Sequence, residues 1–79
     1  MNENEIYAKL KEIIFDIKGE IEIDKDTALI GGDIMDSLEL INYLTQIEEN
    51  FDVSITMDEL VDNELGIINK MIEYIKDKV

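Results

Sequence analysis

The chain has no cysteine, no histidine, no proline and no tryptophan, and its seven basic residues are all lysine. Without cysteine it can form no disulfide, no thiolate nucleophile and no thiolate metal site. Without histidine it lacks the commonest general base and the commonest metal ligand. Glycine occurs only at 19, 31, 32 and 66, so little in the sequence breaks a helix. No apolar run approaches the ~20 residues that a membrane span requires. The start, Met1-Asn2-Glu3-Asn4-Glu5, is acidic and lacks the basic flank and apolar core of a signal peptide. A cytoplasmic protein without a membrane span is expected.

What the chain has in excess is acid. Twenty Asp and Glu face seven Lys, for a net charge of −13 over 79 residues. Phosphate backbones and anionic membranes would repel such a surface, which argues against nucleic acid as a partner. It suits partners with basic docking surfaces, reached by steered encounter. The same charge keeps a small domain soluble and monomeric. Hydrophobic residues make up 46%, enough for one modest core, and a single domain over residues 1–79 is expected.

The apolar periodicity is helical. Ile6, Tyr7, Leu10, Ile13, Ile14 and Ile17 form one stripe, predicting a helix over 3–17 that ends at Gly19. Residues 18–35 show no sustained period and contain Gly31-Gly32, so they read as a long ordered loop pinned by Ile21, Ile23, Leu29, Ile30 and Ile34. A second helix is expected from Ser37, with Asp36 and Glu39 spaced as a capping box. Its buried face is expected to hold Leu38, Ile41, Leu44, Ile47 and Phe51, with Leu40 at the margin and Asn42, Gln46 and Glu49 outward. After an extended connector at 52–56, residues 57–61 suffice for one or two helical turns. A last helix over about 64–78 would bury Leu65, Ile68, Met71, Ile72 and Ile75. The expected fold is all-α, a four-helix bundle of three main helices and one short one with a long first loop.

Ser37 opens the second helix. The unpaired N–H groups and partial positive charge of a helix N-terminus favour a phosphate group there. Nothing in the sequence makes Ser37 a nucleophile: there is no histidine to deprotonate it, and Asp36 is a poor base for a hydroxyl. Chemistry at Ser37 would therefore be performed by another enzyme, and from spacing alone Asp36-Ser37 reads as a helix cap.

A longer pattern points further. Gly32-Asp33-Ile34-Met35-Asp36-Ser37-Leu38-Glu39-Leu40-Ile41, then Ile47-Glu48-Glu49-Asn50-Phe51-Asp52, resembles the acyl carrier protein family, with its Asp-Ser-Leu signature and closing Glu-Glu-x-Phe. Ile67 to Ile75 resembles the last helix of that family. The resemblance implies a 4'-phosphopantetheine arm on Ser37, donated by coenzyme A through a phosphopantetheinyl transferase and carrying acyl groups as thioesters. It makes the chain a carrier rather than an enzyme. Asp36 would position the serine, Met35 and Leu38 would give apolar contacts beside the arm's root, and Glu39, Glu48 and Glu49 would offer acid to basic loading and transferring enzymes. Each of these acids also reads as ordinary solvated helix surface. Asn42 stands where carriers of primary fatty acid synthesis usually have an acid. The apolar Ile34-Met35 before the motif is more similar to D-alanyl carriers of teichoic acid modification and to aminoacyl or specialised carriers, and Asn69-Lys70-Met71-Ile72 resembles the last helix of D-alanyl carriers.

Asp24-Lys25-Asp26 fails as a calcium loop, because Ala28 and Leu29 stand where an EF-hand needs an oxygen ligand and glycine. No metal site is expected. The rival of another class is an acidic interaction module that works without modification.

Overall fold

The computed structural model describes residues 2–31 and 34–79; Gly32 and Asp33 of the motif lie outside the described residues. Four α-helices follow one another: α1 (Glu3–Lys18), α2 (Ser37–Phe51), α3 (Met57–Asp62) and α4 (Ile68–Lys78). No strand occurs among the described residues, only one isolated antiparallel bridge between Ala28 and Ile67. The all-α, four-helix architecture expected from periodicity is the one observed.

Local chemistry sets the helix ends. Asn2 caps α1 by accepting the Glu5 amide at 2.9 Å, and Gly19, at φ +79°, ends it with its N–H on the Phe15 carbonyl. With ψ −172° this is the extended positive-φ conformation, which glycine adopts at little cost. At α2 the Asp36 side chain accepts the Glu39 amide at 2.8 Å, and Glu39 accepts the Asp36 amide at 3.0 Å. Thr56 and Glu59 form the same reciprocal box at α3. Ile67, at the start of α4, offers no side-chain cap. Loop carbonyls take its place: the Ile68 amide donates to Thr27 at 3.1 Å and the Asn69 amide to Lys25 at 2.8 Å.

These bonds explain the loop between α1 and α2. Asp24 forms a turn by accepting the Asp26 amide at 2.9 Å while its own amide donates to the Thr27 hydroxyl at 2.8 Å. Leu29 then donates to Gly66 at 2.8 Å and accepts from the Met35 amide at 3.3 Å. One buried leucine thus ties the α3–α4 junction to the residue before Asp36. Glycine suits position 66, since a Cβ would stand 2.7 Å from Ile30 Cγ1 and Ile30 would have to shift.

The core joins Ile6, Leu10, Ile13 and Ile14 of α1 to Leu40, Tyr43, Leu44, Ile47 and Phe51 of α2 and to Ile68, Met71, Ile72 and Ile75 of α4, with Leu29, Ile55, Leu60 and Leu65 from the connecting segments and α3. Burying each such side chain contributes about 1.5–3 kcal/mol. α1 packs against both α2 and α4.

Three expectations need correction. Leu38 and Ile41 are not on the buried face of α2; they are 78% and 50% exposed, while Leu40 and Tyr43 are buried. Both stripes share Leu44, Ile47 and Phe51, and contacts to α1 select between them: Lys18 with Glu39, and Gln46 with Asp16 at 3.2 Å. Ile30 does not enter the core but lies partly exposed against Gly66. The last helix starts at Ile68 rather than near 64, because Glu64 takes a left-handed φ of 55° and the chain turns through Gly66 first.

Candidate functional site

Ser37 is exposed at the first position of α2. Its side chain is bonded to no described group, whereas both neighbours in the capping box are committed. The box occupies the amides of Asp36 and Glu39 and leaves those of Ser37 and Leu38, the first two of the helix, outside it. These amides, which have no partner among the described residues, and the positive end of the helix dipole lie at the same helix end as the serine hydroxyl.

The other residues expected at the site divide into two groups. Leu38 stands in solvent beside Ser37, whereas Met35 is buried and belongs to the core. Ile34, Met35, Asp36, Glu39 and Lys18 together line a shallow depression of about 310 Å³ next to Ser37. Of the three acids, Glu49 is exposed. Glu39 is held by Lys18, which donates to both carboxylate oxygens at 3.1 and 3.0 Å. Glu48 accepts the Ile55 amide at 3.0 Å and so fastens the α2–α3 connector. Two of the three acids are therefore engaged within the fold.

The electrostatics follow the same geometry. The Asp36 amide, and then Lys18, hold the Glu39 carboxyl below the usual glutamate range. At α3 the Tyr74 hydroxyl donates to Glu59 at 2.6 Å. That bond, with the Thr56 amide, lowers Glu59, and the same carboxylate raises Tyr74. No group of three or more acids is placed to hold a metal ion among the described residues.

Lys18 and Tyr43 were not singled out by sequence. Lys18 reads as a residue that complements the C-terminal dipole of α1, and nothing in its spacing reveals Glu39 as a partner. Tyr43 is completely buried, and its hydroxyl has no partner among the described residues. Burial alone raises its pKa far above the ordinary value.

The arrangement can present a phosphoester, and no strong general base stands beside Ser37 among the described residues. One Asp36 carboxylate oxygen is occupied by the Glu39 amide, and the chain has no histidine. An exposed hydroxyl, first-turn amides outside the capping box and a helix N-terminus fit a phosphodiester at this place. The only other serine, Ser54, lies in the coil between α2 and α3 without such a terminus.

Comparison with known proteins agrees with this chemistry. The family described as a phosphopantetheine attachment site matches residues 8–75. The acyl carrier protein of Lactobacillus acidophilus (strain ATCC 700396 / NCK56 / N2 / NCFM) is 31% identical over 81 residues, spanning 96% of this chain and 95% of the relative. No solved structure matches the chain. The chain belongs to the acyl carrier protein family, whose cofactor is covalently attached 4'-phosphopantetheine. When bound, that group supplies the thiol that a cysteine-free chain lacks.

Proposed function

We propose that Ser37 carries the phosphopantetheine arm and that the chain shuttles acyl groups, held as thioesters, between enzymes of the cytoplasm. The supporting observation is the position of Ser37: an uncommitted hydroxyl at the N-terminus of a 15-residue helix, with the flanking capping groups already satisfied. The chain itself catalyses nothing in this reading. A phosphopantetheinyl transferase brings both the coenzyme A and the base, and the Asp36–Glu39 box holds the serine in a fixed turn while it does so. Exposed Leu38, with Glu49 further along α2, gives loading enzymes an apolar contact beside acid. Glu39 and Glu48, engaged within the fold, are offered less freely.

An aminoacyl cargo, D-alanine for teichoic acid modification among the candidates, is a second reading. It is favoured by the resemblance of Ile34-Met35 and Asn69-Lys70-Met71-Ile72 to D-alanyl carriers. The burial of Met35 gives that residue a core role instead, which weakens it as a mark of cargo.

The attachment point is tested by fragmentation mass spectrometry after incubation with coenzyme A and a promiscuous transferase. Trypsin, cutting after lysine, leaves residues 26–70 as one peptide holding both serines. Fragments that place the added mass on Ser37 support the reading, and placement on Ser54 contradicts it. Loading the modified chain separately with fatty acyl and D-alanyl donors then tells the two cargo readings apart.

A further inference from the structure

Among the described residues, Lys18 and Glu39 form the most sheltered ion pair. Both side chains are 27% exposed and the atoms stand 3.0 Å apart, whereas the other three pairs are 39–72% exposed and 3.4–3.5 Å apart. The pair joins the last turn of α1 to the first turn of α2. Glu39 Oε1, one of its acceptors, also takes the Asp36 amide at 3.0 Å. The ammonium therefore stands two hydrogen bonds from the backbone nitrogen of the residue before Ser37.

Helix capping does not by itself call for a cation at this place. The box at α3 has the same form, and its Glu59 is held by the neutral hydroxyl of Tyr74. At α2 the cation sits in the depression beside Ser37, among Ile34, Met35, Asp36 and Glu39. An ammonium has three N–H donors. Two go to Glu39, and the third meets no acceptor among the described residues. A phosphodiester on Ser37 would add a third negative charge to a turn that already holds Asp36 and Glu39, in a chain of net charge −13. Like charges so close repel within the screening length of about 8–10 Å. The helix N-terminus offsets part of this repulsion, and the nearest cation in the depression is Lys18.

We propose that Lys18 is the counter-charge of the arm: its ammonium bridges the phosphodiester on Ser37 and the Glu39 carboxylate, so that modification tightens the clasp between α1 and α2. This rests on Ser37 as the attachment point. The test uses the full chain in unmodified and modified forms, as wild type, Lys18→Met and Lys18→Arg. Thermal melts at low ionic strength give the change in Tm on modification, and phosphorus NMR reports the surroundings of the phosphodiester. Taking the modified minus unmodified Tm removes any general cost of losing the Lys18–Glu39 pair. That difference is expected to be roughly 2–6 °C more favourable in the wild type than in Lys18→Met. Lys18→Arg should restore it, added salt should shrink it, and the phosphorus resonance should move in Lys18→Met alone. Equal differences in Tm and coincident phosphorus resonances, in chains that gained the arm on Ser37, overturn the role of Lys18 and leave the attachment point standing. A chain that gains no arm on Ser37 overturns both.

Discussion

Among the described residues, Ser37 is the polar side chain of its turn that bonds to no other group. Asp36 holds the Glu39 amide, Glu39 holds the Asp36 amide and Lys18, and Met35 is buried. Asp36→Ala should therefore lower stability by about 0.5–2 kcal/mol, the usual value of such a cap, measured by chemical denaturation. Ser37→Ala should leave stability nearly unchanged, since its hydroxyl bonds to no described group. The lowered Glu39 carboxyl gives a pH dependence of defined sign. A carboxyl whose folded pKa lies below its unfolded value of about 4.3 stabilises the fold above that pH, and the gain is lost as pH falls through the folded pKa. The Tm advantage of wild type over Glu39→Gln should thus be full at neutral pH and fade below about pH 4.3. Tyr43 offers the opposite kind of test. A buried hydroxyl without a partner costs about 1–3 kcal/mol, so Tyr43→Phe should hold or raise the Tm. A clear fall would reveal a hydrogen bond to a buried water.

Element order, the span of α1 and the cap that opens α2 were legible in the sequence because each has a local cause. The Asp36–Glu39 box, the stop at Gly19 and the 3.6-residue stripe of α1 are all short-range. Two features were not local. The rotation of α2 depends on which flank meets Lys18 and Asp16 of α1, so Leu38 and Ile41 could not be separated from Leu40 and Tyr43 by spacing. The start of α4 depends on Thr27 and Lys25, more than forty residues upstream, whose carbonyls stand in for the missing cap. Gly66 belongs to the same junction. Gly66→Ala should push Cβ into Ile30, whose Cγ1 and Cδ1 would lie at 2.7 and 2.8 Å, and overpacking of this kind costs about 1–3 kcal/mol. Ile30→Ala in the same chain should recover part of the loss, a coupling that a double-mutant cycle measures directly. Additive effects would show that Ile30 does not press on Gly66.

Over the whole molecule, charge outweighs what the individual pairs can neutralise. Four lysine–carboxylate bridges among the described residues stand against twenty acids, and exposed pairs contribute little each. Self-repulsion should therefore destabilise the fold at low ionic strength, and added monovalent salt or a divalent cation should raise the Tm. In a domain of this size 1 kcal/mol corresponds to about 4–8 °C, so even modest screening is measurable. A melt indifferent to both would show that the acids are spread too widely to repel. The same acidic surface, with Leu38 and Ile41 exposed on α2, is the one the proposed docking to basic partners would use.

The most direct test of the central claim is the intact mass of wild type and Ser37→Ala after incubation with coenzyme A and a phosphopantetheinyl transferase. A carrier modified at Ser37 gains one phosphopantetheine in the wild type and none in the variant, with both chains folded. No gain in a folded wild type, or an equal gain in the variant, would contradict it and return Asp36-Ser37 to the role of a helix cap.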